Sequence, residues 1–189
     1  MAGRLVEISG QRAAANLTVA FGLVLEAQKR QEPVAWVTLR QSTFYPPDVA
    51  DSGISLAHLA VVRVRDTRSA TRATVELTRS GGFDLVILDL GPEAIRNQLR
   101  HSQKRYPSRL STPLLTKLVG LARKHATAVV VLTEKNGRTS SVSSLISLRA
   151  EARRNKDAPC ELEVAILKDK RRGPGRLYHE VCRAPAGLR

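Results

Sequence analysis

Short apolar runs alternate with segments of helical periodicity along the first two thirds of the chain. Apolar runs bounded by turn residues indicate strands, whereas apolar positions that recur every three or four residues indicate amphipathic helices. The runs predict strands over residues 4–9, 34–39, 60–65, 85–90 and 127–132. The periodic segments predict helices over 16–30, 68–80 and 112–125, with a short helical piece that ends at 52. This alternation is typical of a parallel sheet covered by helices.

The C-terminal third carries apolar runs with no helical segment between them. We predict strands over 144–153, 161–168 and 177–183, the last two joined by a Gly-Pro-Gly turn. The run at 85–90 is typical of a strand buried on both faces. No low-complexity linker divides the 189 residues, so we expect one domain, 1–189. Its predicted fold is α/β, with a mostly parallel central sheet, helices on both faces, and antiparallel strands near the C-terminus.

Composition narrows the class of protein. Hydrophobic residues make up 42% of the chain, but no apolar run approaches the roughly 20 residues of a membrane helix. The start lacks the layout of a secretory signal, so we expect a cytoplasmic protein. The formal net charge is +14, from 31 Lys and Arg against 17 Asp and Glu. A field of this sign favours polyanions or an acidic partner surface.

Residue types that often bind metals are scattered along the chain. Cys160 and Cys182 fall inside apolar strand-like segments without partners at metal spacing, so we predict buried free thiols. The four histidines are far apart in the sequence, which predicts no metal site. Trp36, on the second predicted strand, is expected in the core.

The turn after the first strand has the outline of a phosphate-binding loop without its chemistry. A working loop reads G-x-x-x-x-G-K-[ST], in which the lysine contacts the outer phosphates and the hydroxyl binds Mg²⁺. Gly10 keeps the first position, but the second glycine, the lysine and the hydroxyl are replaced by Ala15, Asn16 and Leu17. Taken alone, this segment is equally well explained as an ordinary strand-to-helix turn.

Three later segments favour the first interpretation. One apolar strand ends in Asp89, another leads to Glu134, and residues 168–174 read K-x-K-x-x-x-P. With the order of elements, these segments resemble the core of the RecA recombinase family. The resemblance implies that Asp89 matches an aspartate that acts through water on Mg²⁺, and Glu134 a nucleotide-sensing glutamine. It also implies that Lys168 and Lys170 match lysines that reach a neighbour's ATP across a filament interface.

The residues that differ from the family pattern all stand at positions that bind or hydrolyse ATP. Counting from the second strand places Arg40 where the family has the glutamate that acts as general base, and a guanidinium cannot accept a proton at physiological pH. The resemblance therefore implies a degenerate ATPase that has no catalytic residue, cofactor or metal. The degenerate nucleotide site comprises Gly10, Ala15, Asn16, Leu17, Arg40, Asp89 and Glu134. We also expect neither the N-terminal polymerisation helix nor the C-terminal domain of RecA in this chain.

Segments at 45–48, 143–154 and 168–176 are similar to the ImuA family, RecA paralogues encoded with ImuB and an error-prone replicative-type polymerase. This resemblance implies a non-catalytic accessory role in the SOS response to DNA damage and in translesion synthesis. The implied partners are RecA, ImuB and that polymerase. The protein would restrain RecA-driven recombination and would be associated with the nucleoid. The candidate RecA interface comprises Lys168, Lys170, Arg171 and Arg172. A charged hairpin tip that blocks edge pairing is the alternative interpretation.

Two further basic segments suit sequence-independent contacts with nucleic-acid phosphates. They lie where the RecA family has its DNA-binding loops, and their composition predicts flexible, exposed loops. The candidate DNA-binding residues are Arg96, Arg100, Lys104, Arg105, Arg109, Lys135 and Arg138. A solvated charged surface is the alternative.

Three functions stay open from the sequence. The first is an interaction protein with a RecA-like fold that joins or caps a RecA filament. The second is a module that binds single-stranded DNA for an error-prone polymerase. The third, an active ATPase with an atypical loop, is disfavoured because three required groups are missing.

Overall fold

The computed structural model describes residues 1–11, 14–40, 42, 44–91, 110–155, 158 and 160–181. Eight strands lie within this part of the chain: β1 Leu5–Gly10, β2 Val34–Leu39, β3 Leu59–Val64, β4 Leu85–Asp89, β5 Ala128–Glu134, β6 Leu148–Arg154, β7 Glu161–Asp169 and β8 Leu177–Val181. The helices are α1 Ala14–Lys29, α2 Pro46–Asp51, α3 Thr67–Ser80 and α4 Thr112–Lys124, with a 3₁₀ turn at Leu56–His58.

All eight strands form one sheet in the order β3-β2-β4-β5-β1-β6-β7-β8. Neighbouring strands from β3 to β6 are parallel, while β7 is antiparallel to both β6 and β8. Only β7 therefore runs against the other described strands. The predicted fold is confirmed: a mostly parallel sheet with helices on both faces and an antiparallel extension.

The central strands are buried because their alternate residues enter two separate cores. On one face, α1 packs over Val6, Ile8 and Trp36. On the other face, α3 and α4 pack side by side over Leu5 and Val37. Trp36 is 0% exposed and its ring stacks on Phe21 of α1, with centroids 5.1 Å apart, so its expected place in the core is confirmed.

Helix α3 is fixed at both ends by local chemistry. Asp66 caps its first turn by accepting a 2.8 Å hydrogen bond from the Ser69 backbone N–H. At the other end Gly81 adopts φ +69°, and a Cβ there would lie 2.7 Å from Nδ1 of His125. Glycine is thus required at this turn, where α3 approaches the end of α4.

Two expectations about the C-terminal third are wrong in detail. Strand β6 begins at Leu148 rather than at 144, because the N–H groups of Leu145 and Ile146 bond back to Ser143 instead of to a neighbouring strand. Cys160 is exposed rather than buried: it precedes β7 in a turn closed by the Glu161 N–H and the Ala158 carbonyl at 2.8 Å. Cys182 lies outside the described residues.

No helix in the described part of the chain is long and apolar enough to cross a membrane. Among the same residues, no three His, Cys, Asp or Glu side chains cluster as a metal site.

Candidate functional site

The predicted degenerate nucleotide site lies at one edge of the sheet. Because β1, β2, β4 and β5 are parallel, their carboxyl ends meet at this edge, where α/β sheets bind ligands. Thr38 of β2 pairs with Asp89 of β4, and Gly10 of β1 pairs with Glu134 of β5. Helix α1 starts beside them at Ala14. The structure thus brings together the strand-end residues and the start of α1.

Asn16, at the lysine position, is turned into the protein. Its side chain is buried, and its Nδ2 donates to the Thr133 carbonyl at 3.2 Å. Its Oδ1 accepts from the Leu17 backbone N–H at 2.9 Å. Both ends of the amide group therefore have protein partners. The amide fastens the first turn of α1 to the end of β5.

The glycine positions of the loop have unequal space around them. A Cβ added at Gly10 would lie 3.0 Å from the Ala152 carbonyl oxygen, so little more than a hydrogen fits there. Ala15, at the second glycine position, is 3% exposed and belongs to the core beneath α1. A methyl group thus occupies a position where a phosphate loop would leave the backbone open to its ligand.

Asp89 is buried at the end of β4, and each of its oxygens has a partner. Thr38 Oγ1 donates to Oδ2 at 2.9 Å, and the Gly91 N–H donates to Oδ1 at 3.0 Å. Burial raises the pKa of this carboxyl, against the opposing effect of the two hydrogen bonds. The Trp36 indole N–H lies near enough to favour the carboxylate, but it makes no hydrogen bond of normal geometry to the described residues.

Arg40 and Glu134 frame this edge without forming hydrogen bonds from their side chains to other described residues. Arg40 is exposed, and its backbone N–H donates to the Val64 carbonyl at 2.9 Å, one residue beyond the paired part of β2. Glu134 is half-buried at the end of β5. The predicted general-base position therefore holds a cation that faces solvent.

The segment 135–147, which joins β5 to β6 and is called the β5–β6 segment below, is anchored rather than free. Lys135 was expected to be exposed, and this expectation is wrong. Its side chain is only 8% exposed, and its Nζ lies 2.6 Å from Glu7 Oε1. Burial lowers the pKa of Lys135, opposed by the Glu7 carboxylate. Arg138, in the same segment, is exposed.

Three buried charged side chains of β1 and β6 form hydrogen bonds with the backbone of the β5–β6 segment. Glu7, Arg149 and Glu151 are each less than 5% exposed. Glu7 accepts from the Val142 N–H at 3.1 Å, and Glu151 accepts from the Gly137 N–H at 2.8 Å. Arg149 donates to the carbonyls of the segment, including that of Asn136 at 2.9 Å. Sequence reasoning missed all three, although a charged residue amid apolar neighbours, as at Glu7, is a usable signal.

The candidate interface lysines contact the same segment. Nζ of Lys170 donates to the Ser144 carbonyl at 2.9 Å, and Nζ of Lys168 approaches the same oxygen at 3.4 Å. Burial, followed by the nearby Lys170 charge, lowers the pKa of Lys168. Arg171 and Arg172, by contrast, are exposed.

A buried carboxylate orders the turn that carries these cations. Asp169 accepts from Arg4 at 2.7 Å, from Arg176 at 2.6 Å and from the Arg171 N–H at 2.9 Å. The Arg171 N–H and then the Arg4 guanidinium hold the pKa of this carboxyl well below its usual range. Asp169 was also missed from the sequence, where it reads as one more charge in a basic run.

Most of the candidate DNA-binding residues cannot be placed. Arg96, Arg100, Lys104, Arg105 and Arg109 lie outside the described residues. The structure positions Lys135 and Arg138, and of these only Arg138 has an exposed side chain.

Residues 1–140 match the family model of the RecA N-terminal domain. The RecA protein of Rhodospirillum rubrum is 29% identical over 137 residues, covering 70% of this chain and 37% of that protein. The RecA protein of Thermotoga petrophila is 30% identical over 138 residues, covering 70% of this chain and 38% of the relative. The match thus spans less than two fifths of either relative's own length.

The solved structure of the RadB recombinase has a similar fold. It superposes with a TM-score of 0.72 and covers 94% of this chain and 86% of the RadB chain, at 17% sequence identity.

Proposed function

Because its first 140 residues match the RecA N-terminal domain, the chain belongs to the RecA family, and we propose that it is a non-catalytic member acting in DNA repair and recombination. This proposal rests mainly on Asn16, which stands at the position of the phosphate-binding lysine. Its side-chain amide hydrogen-bonds to the Thr133 carbonyl and to the Leu17 N–H. A phosphate-binding lysine needs a free cationic head at the mouth of the loop.

The surroundings of Asn16 support the same proposal. Asp89 hydrogen-bonds to Thr38 and Gly91, so both of its oxygens already contribute to the fold. Arg40 places a positive charge where a base must accept a proton from water. The polar groups at Asn16 and Asp89 make hydrogen bonds within the fold instead.

Calorimetric titration with MgATP at about 0.15 M salt tests the absence of nucleotide binding directly. We expect no heat beyond that of dilution and no rise in melting temperature. Binding would be visible, because a ligand at 100 times its Kd adds about 2.7 kcal/mol to the free energy of unfolding. A purified RecA measured in parallel is the positive control. Micromolar binding of MgATP by this chain would contradict the proposal.

We propose further that the chain acts as an ImuA-type accessory protein, which contacts RecA together with ImuB and an error-prone polymerase. The support is that Lys168 and Lys170 keep their charges next to the exposed Arg171 and Arg172, while the groups around its own nucleotide site are replaced. A subunit of this kind would contact an active RecA protomer on one side only. It would then terminate a filament and restrain strand exchange.

A RecA strand-exchange assay with substoichiometric protein tests this capping role. We expect the wild-type chain to slow the reaction, and Lys168→Ala with Lys170→Ala to relieve the inhibition. Lys29→Ala with Arg30→Ala removes two exposed cations elsewhere and should inhibit like wild type. Because Lys170 also contacts the Ser144 carbonyl, the melting temperature of the double variant must be checked. Full strand exchange with wild type present would rule out capping.

Single-stranded DNA binding through the basic loops is the second candidate function, supported by the +14 net charge. Replacing Arg100, Lys104, Arg105 and Arg109 by Gln should weaken DNA binding. It should also reduce the slope of log affinity against log salt by roughly 3, at about 0.7 per phosphate contact. Unchanged binding and slope would assign these arginines and lysine to solvated surface.

A further inference from the structure

The outer face of helices α3 and α4 carries an excess of positive charge. Both helices pack on the same side of the sheet, so the residues opposite their buried positions face solvent. The exposed ionisable side chains there are six cations and one acid: Arg68, Arg72, Arg79, Lys117, Arg123, Lys124 and Glu76. This set is called the α3–α4 basic face below. None of its residues belongs to the two basic segments predicted to bind DNA.

The cations of this face have little internal compensation. Glu76 pairs with Arg79 at 2.7 Å, and neither Arg72 nor Lys117 makes an ion pair or side-chain hydrogen bond to other described residues. Asp66 lies near Arg68, but its two oxygens accept from the Ser69 N–H and hydroxyl. Ordinary surfaces intersperse charges of both signs, so an uncompensated face of one sign indicates an anionic partner.

Helix stability does not account for all of these positions. Arg79, Arg123 and Lys124 lie in the last turns, where cations interact favourably with the helix dipole. Arg68, however, is the second residue of α3, where the dipole disfavours a cation. The charge of Asp66 offsets part of this cost, but the position of Arg68 is still not explained by the helix dipole.

The partner that fits this face is a nucleic-acid backbone. Protein interfaces are built around buried apolar or aromatic anchors, and the exposed large apolar side chains of the described residues all lie elsewhere: Met1, Tyr45, Leu56, Val61, Leu177, Tyr178 and Val181. Along α3, Arg68 and Arg79 are about 16 Å apart at 1.5 Å per residue. In a duplex, that length of axis spans about five phosphates of one strand, at 3.4 Å each.

We propose that the α3–α4 basic face binds single- or double-stranded nucleic acid without sequence preference, through its phosphates. This inference does not rest on the proposed loss of ATP binding or on RecA contact. A second contact surface on the side of the sheet opposite α1 would let the chain hold one nucleic-acid segment there while its loops contact another.

Fluorescence anisotropy with a labelled oligothymidylate of about 30 nucleotides, over about 50 to 200 mM salt, tests the proposal on the full chain. The variant carries Arg68→Gln, Arg72→Gln and Lys117→Gln, which leaves the cations of the last turns in place. We expect affinity at about 0.1 M salt to fall about 10- to 100-fold, and the salt slope to fall by about 2 for three lost contacts. Glu76→Gln should tighten binding about threefold.

The matched control removes three exposed cations from other surfaces: Lys29→Gln, Arg30→Gln and Arg154→Gln. It has the same net charge as the test variant and should bind within about twofold of wild type. Equal losses in the two triple variants would overturn the proposal, because net charge alone would then explain binding. Wild-type affinity and slope in the test variant would also overturn it. Displacement of the oligonucleotide by polyglutamate at equal charge concentration would assign the face to an acidic protein instead.

Discussion

Asp89 is a buried carboxylate with no cation paired to it among the described residues. Its two hydrogen bonds compensate part of the cost of burial, and its raised pKa shows that part of the cost remains. In a metal-binding relative, the charge of the ion would favour the ionised form. Ionisation of Asp89 therefore lowers the stability of the fold.

Replacing Asp89 by Asn should therefore not destabilise the protein at pH 7. A folded-state pKa above the unfolded value of about 3.9 means that the fold loses stability as pH rises through that range. Asn keeps an acceptor for the Gly91 N–H. We expect a melting temperature equal to or above that of wild type at pH 7, with the difference vanishing below about pH 4.

Asp66 provides the control for this pH profile, measured by thermal unfolding. The Ser69 N–H lowers its pKa, so its contribution is present above about pH 4 and is lost as pH falls. Asp66→Asn should narrow the gap in stability between neutral and acidic pH, the opposite trend. A clear loss of stability in Asp89→Asn at pH 7 would show that the carboxylate is needed in its charged form.

The ion pair of Lys135 with Glu7 contributes more to the free energy of unfolding than Asp89 does. Glu7 is 0% exposed, so removing its cation leaves a buried charge with only neutral donors, a change that costs about 3 kcal/mol. We predict this loss for Lys135→Met in urea unfolding. Arg138→Met, an exposed cation of the same segment, should change stability by less than about 0.5 kcal/mol. Similar values for both variants would refute the anchoring role of Lys135.

At the scale of elements, the β5–β6 segment depends on a glycine that touches a buried carboxylate. A Cβ on Gly137 would lie 2.4 Å from Glu151 Oε2, an oxygen that also accepts from Arg153 at 2.6 Å. The backbone of the segment therefore lies so close to Glu151 of β6 that no side chain fits at residue 137. Gly137 is the close-approach glycine of this segment.

Gly137→Ala should destabilise the protein by about 1 to 3 kcal/mol, because a methyl group is forced against a buried, hydrogen-bonded carboxylate. Gly22→Ala is the matched control. Gly22 is exposed within α1 with nothing within 4 Å of an added Cβ, so that change should stabilise by about 0.5 to 1 kcal/mol. Urea unfolding of the two variants measures both values. Stabilisation by both changes would mean that the contact at Glu151 relaxes freely.

Elements that are periodic in sequence could be predicted closely, and those held by long-range ionic contacts could not. β2 matches its predicted bounds, and α3 differs by one residue, because apolar spacing and local caps set their limits. The start of β6 was misplaced by four residues. The segment before it is held in part by Glu7, which accepts from the Val142 N–H and lies more than 130 residues earlier in the chain.

At the scale of the whole molecule, the order of strands along the chain predicted a parallel sheet, and parallel strands place their carboxyl ends together. This is why the residues of the predicted nucleotide site could be expected to lie close together from motif positions alone. The buried partners of those positions could not be predicted, because Thr133 and Thr38 become neighbours of Asn16 and Asp89 only through the sheet order. The same limit hid Asp169, whose cations come from both ends of the chain.

The three long helices α1, α3 and α4 all begin at the carboxyl edge of the sheet and end at the opposite edge. Each helix start carries about half a positive unit charge, so this edge retains an attraction for anions that no side-chain replacement removes. If Asn16 replaces a phosphate-binding lysine, as proposed, this edge lacks a cationic side chain for a phosphate but keeps a weak long-range attraction for anions. Nucleotide should therefore associate loosely in dilute buffer and dissociate as salt shortens the Debye length to about 8 Å.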